Sequence, residues 1–131
     1  MSDKTNSVLA IAAGAIPAYR FVKLDAVDPT KAAEAGATEL ALGVALAPAS
    51  ADGDELLVGI DGYALVDFGG TVQPYTEVAV GADGKAVAAV PASGDFIPGY
   101  YCPEPVDGAV SQIDAGARGR IVIYNYKGRV A

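Results

Sequence analysis

The sequence predicts an all-β domain, a small β-barrel or β-sandwich built from two pseudo-repeated strand units, with at most one short helix. Three observations lead there. The dipeptide Asp-Gly recurs four times, at Asp52-Gly53, Asp61-Gly62, Asp83-Gly84 and Asp107-Gly108. Asp tolerates positive φ and Gly adopts it freely, so the pair marks tight turns. The apolar runs between these turns are short, and several alternate apolar with polar. Finally, one pattern occurs twice: Ile16-Pro17-Ala18-Tyr19-Arg20-Phe21-Val22-Lys23-Leu24 resembles Val72-Gln73-Pro74-Tyr75-Thr76-Glu77-Val78-Ala79-Val80.

Taken in order, residues 1–12 begin with the polar stretch Met1 to Ser7 and read as a flexible N-terminal arm. Its Val8, Leu9 and Ile11 are candidate contacts with a partner surface. Residues 13–131 then form a single β domain, with pseudo-repeats at about 14–66 and 71–126. Tyr19 to Leu24 is the first strand. Asp28 can cap a short helix, with Pro29 at its first position and Lys31 to Ala35 following. Leu40 to Ala47 is the next strand. Asp61-Gly62 stands between Glu55–Ile60 and Tyr63–Phe68, the best hairpin in the chain. Asp83-Gly84 stands between Thr76–Val80 and Lys85–Val90, the second. Ile97 to Tyr101 is a further strand. Arg120 to Tyr126 is apolar on both faces at its centre, the mark of a central strand.

The repeat runs beyond the Pro–aromatic turn. About 25 residues after each Pro, Leu42-Gly43-Val44-Ala45-Leu46-Ala47-Pro48 corresponds to Pro98-Gly99-Tyr100-Tyr101-Cys102-Pro103. Each half then ends in an apolar strand, Leu56 to Ile60 and Ile121 to Tyr124. The second half carries roughly eight extra residues before it. The two units are expected to close into one barrel or sandwich.

Composition limits the chemistry. The chain has 131 residues and is 52% apolar, but 26 of the apolar residues are alanine. Each buries less than the ~1.5–3 kcal/mol worth of surface of a Leu, Val or Ile. Partner copies are therefore expected to add stability. With no His, histidine-based catalysis and histidine metal sites are excluded. Cys102 is the only cysteine, so no intrachain disulfide forms, and it reads as a small hydrophobe. Acid pairs such as Asp52 with Asp54, and Asp61 with Asp67, lack the calcium-loop pattern and read as turn formers. Gly69-Gly70 has no following Gly-Lys-Ser/Thr and is no phosphate loop. No cofactor or metal is expected, and no enzymatic function.

The net charge is −7, which argues against nucleic acid as a partner. Residues 1–117 hold five Lys/Arg and all sixteen Asp/Glu, a balance of −11, while residues 118–131 hold Arg118, Arg120, Lys127 and Arg129 with no acid. This basic end is a candidate contact with an acidic surface. Tyr100, Tyr101, Tyr124 and Tyr126 are candidate core or subunit-interface aromatics. The apolar run Val8 to Ala18 is about half the ~20 residues a membrane helix needs, so no membrane partner is expected.

Two stretches resemble the small capsid decoration, or cement, proteins of tailed bacteriophages. One is Gly14-Ala15-Ile16-Pro17-Ala18-Tyr19-Arg20-Phe21-Val22-Lys23-Leu24-Asp25. The other is Leu42 to Leu46 followed by Gly53-Asp54-Glu55-Leu56-Leu57-Val58-Gly59-Ile60-Asp61-Gly62. The resemblance covers roughly residues 10 to 126; the long Gly94 to Ala117 segment and the basic ending depart from it. It implies a structural protein that binds the major capsid protein on the outside of a head, as a homotrimer, after synthesis in the host cytoplasm. Part of the surface from Ile97 to Tyr101 or Ile121 to Tyr126 would then lie between copies. Another virion β-domain, such as a head-fibre base, and a small ligand-binding barrel are the alternatives.

Overall fold

The structure is a computed structural model and describes residues 5–37, 39–90, 96–105 and 107–123. These contain nine strands: β1 (Thr5–Ile11), β2 (Phe21–Leu24), β3 (Ala32–Glu34), β4 (Gly43–Ala45), β5 (Glu55–Asp67), β6 (Glu77–Val80), β7 (Ala86–Ala88), β8 (Gly99–Tyr101) and β9 (Arg118–Ile123). The strand ladders are all antiparallel. They form one sheet ordered β3-β2-β4-β5-β9-β8-β6-β7, with β1 on β5. The all-β prediction is what the structure shows.

The sheet curls twice. In the first half the path β1-β5-β4-β2-β3 returns on itself through a parallel bridge from Ala12 to Ala32, where Ala13 N–H donates to Ala32 O at 2.8 Å. In the second half β5-β9-β8-β6-β7 returns through Phe68 and Ala86, where Gly69 N–H donates to Ala86 O at 2.8 Å. β5 serves both halves. Its first part pairs with β1 on one edge and β4 on the other, and its residues 62–67 pair with β9. The sequence suggested one closure for both units; the bridges give each unit its own.

Matching bonds trace the correspondence between halves. Ile16 and Ala49 exchange two backbone hydrogen bonds, as do Val72 and Ile113. Tyr19 N–H donates to Ala45 O and Tyr75 N–H to Tyr101 O, both at 2.8 Å, with the two tyrosines at φ 67° and 61°. Gly43 and Gly99 sit where a Cβ would meet a carbonyl oxygen of the neighbouring strand, Gly59 O at 2.2 Å and Val122 O at 1.9 Å. Only Gly permits that approach. Asp67 faces Arg118 as Ile11 faces Glu55, so β1 is the first half's counterpart of the end of β5. The repeated unit therefore starts at β1, ahead of the predicted boundary near residue 14.

Three expectations need correction. The described part of residues 1–12 is not a free arm, because Thr5–Ile11 is paired along β5. Its apolar residues alternate with polar ones too weakly to announce a strand. The Asp61-Gly62 hairpin does not form: β5 runs through it for 13 residues, with Gly62 at φ 89° near the register shift that leaves Ile60 unmatched against β1. The predicted helix at Lys31 to Ala35 is a single capped turn followed by β3. There Asp28 accepts hydrogen bonds from Thr30, and pairing with β2 outweighs alanine's helix propensity. In the stretches Ile97–Tyr101 and Ile121–Tyr126, part of which is expected between copies, Ile97, Tyr101, Ile121 and Ile123 are at most 7% exposed because the chain itself covers them. By contrast Asp83-Gly84 does turn β6 into β7, at φ 57° and 69°.

Each half has its own core, and the two are filled differently. In the first, Leu56 packs among the small residues Ala12, Ala45 and Ala49. Their counterparts in the second are Phe68, Tyr101 and Ile113, and Leu56 is replaced by Gly119. A Cβ on Gly119 would lie 2.5 Å from Ile113 Cδ1 and 3.2 Å from both aromatic rings. One large residue among three small ones thus becomes three large ones around a glycine. Close packing allows either solution but not a mixture.

Candidate functional site

A cluster of charged side chains lies where the second half meets the first. On the end of β5, alternation turns Tyr63, Leu65 and Asp67 outward, while Ala64 and Val66 are buried. β9 presents Arg118 opposite Asp67 and Arg120 opposite Leu65. Tyr19, held at positive φ by the Pro17 turn, closes the group from the first half, and Asp67 N–H donates to its carbonyl at 2.8 Å.

Asp67 is the centre. Arg118 Nε donates to Oδ1 at 2.7 Å and Arg20 Nε to Oδ2 at 3.0 Å. Burial alone would raise its carboxyl pKa. The hydrogen bond from Arg118, and then that from Arg20, outweigh burial and hold it below the ordinary carboxylate value. Arg20 also reaches Glu34 at 3.4 Å and Asp83 O at 3.1 Å. At Glu34 burial prevails over Arg20, and its carboxyl is pushed up. Each β9 arginine lies on an aromatic ring: the Arg118 guanidinium is 3.9 Å from the Tyr19 ring centre and that of Arg120 4.5 Å from Tyr63. Arg120 further donates to Cys102 O at 3.0 Å and pairs with Glu104 at 3.8 Å. Two shallow recesses of about 290 and 280 Å³ flank Arg120 and share Leu65 and Glu104.

This arrangement braces the two halves against each other. Its cations are held by Asp67, Glu34, Glu104 and two rings, and among the described residues no three His, Cys, Asp or Glu side chains gather as metal ligands. Arg118 and Arg120, read from sequence as candidate contacts with an acidic surface, are engaged by the chain's own Asp67, Glu104 and tyrosines. Asp67, Arg20, Tyr19 and Tyr63 were missed as partners. The alternation Tyr63, Leu65, Asp67 carried the signal, hidden by reading Asp61-Gly62 as a turn.

The other candidates are dispersed. Val8, Leu9 and Ile11 lie on β1, 40%, 62% and 36% exposed. Leu9 stands opposite the 41%-exposed Leu57. Tyr100 is half-buried on β8. Tyr101 is a core residue, its ring edge-on to Phe68 with centres 5.3 Å apart. Tyr124, Tyr126, Lys127 and Arg129 lie outside the described residues. No described helix is long and apolar enough to cross a membrane.

No family model matches this chain, and no curated protein matches it. Among solved structures it is similar to the N base of the head fiber protein gp8.5 of bacteriophage phi29. The TM-score is 0.65 and the identity 23%, over 95% of this chain and 98% of that one. At this identity the likeness establishes a shared fold.

Proposed function

We propose that this chain is a structural β-domain of a phage virion, acting as the base through which a head-surface structure is attached to the capsid. The carrying observation is the fold shared, end to end, with the phi29 head fiber base. The sequence resemblance to decoration proteins points to the same surface of the head. A unit whose two halves are braced by ion pairs fits a role in attachment. On this reading its partners are the major capsid protein and further copies of itself, as a homotrimer on the outer shell.

The test is addition of purified protein to heads that lack it, followed by sedimentation and cryo-electron microscopy. The expected result is saturable binding with density on the outer surface. Heads that stay bare at saturating protein would overturn the proposal. The same images divide the two forms of the reading. A fibre base occupies a subset of positions without changing the heat resistance of the head, whereas a decoration protein fills the equivalent positions and raises it.

A further inference from the structure

We propose that copies of this chain associate head to tail, the β1 edge of one copy docking on the Tyr75 turn of another. The contact would repeat between chains the one that already joins the two halves within a chain.

The internal contact supplies the template. On the first half it uses Tyr19 and Arg20, and on the second Asp67, Arg118 and the Ala82–Gly84 turn. Asp67 N–H donates to Tyr19 O, and Gly84 lies against Phe21 O and the side chains of Arg20 and Glu34. The repeat gives these groups counterparts on the opposite half. Tyr75 and Thr76 on the second half stand where Tyr19 and Arg20 stand on the first. Ile11 and Glu55 on the first half stand where Asp67 and Arg118 stand on the second.

The backbone groups match as well. Phe68 N–H donates to Ala117 O, which turns Asp67 N–H away from β9 and toward Tyr19. Ala12 N–H likewise donates to Asp54 O, which turns Ile11 N–H away from β5. Ile11 therefore presents a donor on the edge of β1 that faces away from β5, next to the bridge from Ala12 to Ala32. Among the described residues no backbone group donates to Tyr75 O. A donor on the first half and an acceptor on the second thus stand in the setting where their counterparts are joined.

The side chains change as a set. The internal contact buries an acid between two arginines. Among the counterparts the acid becomes Ile11, and both arginines are gone, replaced by Thr76 and Glu55. An unpaired buried charge would oppose association; here the acid is lost together with both of its partners, and the charge that remains, Glu55, is exposed on β5. Ile11 is 36% exposed, Tyr75 57% and Val27, in the loop equivalent to Ala82–Gly84, 93%. These are large apolar groups on the surfaces the template selects. The contact uses two different patches, so it closes into a ring if the rotation permits and extends as a filament if not.

The experiment uses isolated protein, so its outcome is independent of attachment to heads. In a Cys102→Ser background, one preparation carries Ile11→Cys and a second Tyr75→Cys. Mixed under mild oxidation they should yield a one-to-one cross-linked dimer that neither gives alone. Light scattering at tens of micromolar should show a mass above that of the monomer. Ile11→Arg should weaken association at least tenfold, and so should Tyr75→Asn, which suits the positive φ there. Cross-linking by either preparation alone to the same extent, or a monodisperse monomer at that concentration, would overturn the proposal.

Discussion

At the scale of single residues, Asp67 decides how the halves are held. Its carboxylate joins a first-half arginine, Arg20, to a second-half one, Arg118, and is itself only 17% exposed. Asp67→Asn keeps the shape but removes the charge both guanidinium groups answer. The expected loss is about 1–3 kcal/mol, the cost of leaving partly buried charged donors without their acceptor. The pH dependence follows in sign. A carboxyl held below its unfolded value stabilises the fold above the unfolded pKa, and that contribution fades as pH falls through the lowered folded value. Urea midpoints measured from neutral pH into the acid range should therefore drop in the wild type. The drop should be smaller in Asp67→Asn. Equal acid sensitivity in the two proteins would show that Asp67 is not linked to folding.

At the scale of elements, β1 and β5 show what the sequence could and could not convey. Both Asp61-Gly62 and Asp83-Gly84 carry the same local turn chemistry, yet only the second turns the chain. The difference lies in tertiary pairing: β1 runs along the first part of β5 and β9 along the second, so continuing the strand satisfies two ladders. No local feature of residues 61 and 62 records that. β1 was obscured for the related reason that an edge strand with Val8, Leu9 and Ile11 exposed has little burial pattern to read. The Pro–aromatic turns and Gly43 with Gly99 were legible because each demands a particular residue type at a fixed spacing. Since β1 is a strand of the first barrel, deleting residues 2–11 should cost roughly 3 kcal/mol or more, a large share of a small domain's stability. Protection of the β4 and β5 amides in hydrogen exchange should fall with it. A truncated protein with unchanged melting temperature would return β1 to the status of an arm.

At the scale of the whole molecule, the two halves share a path and a set of backbone bonds while disagreeing in their cores. Repetition of the backbone was visible in sequence. The exchange of volume was not, because Leu56 and Gly119 look unrelated until the register places them at one position. That exchange makes a prediction neither half makes alone. Gly119→Ala puts a Cβ 2.5 Å from Ile113 Cδ1 and should destabilise by about 1–3 kcal/mol, as overpacking does. Ile113→Ala should cost about 2–5 kcal/mol through the cavity it leaves. Combined, the two changes move the second half toward the arrangement of the first, where Ala49 already stands at the position of Ile113. The double variant should therefore be more stable than the sum of the single losses by at least ~0.5 kcal/mol, the coupling expected of residues that share a space. Denaturation of the four proteins in a double-mutant cycle measures it. Strict additivity would mean that the two cores are filled independently of the register that relates them. A positive coupling would show that each half keeps its own volume in balance, so that a chain with two differently filled barrels still presents the same backbone in both halves.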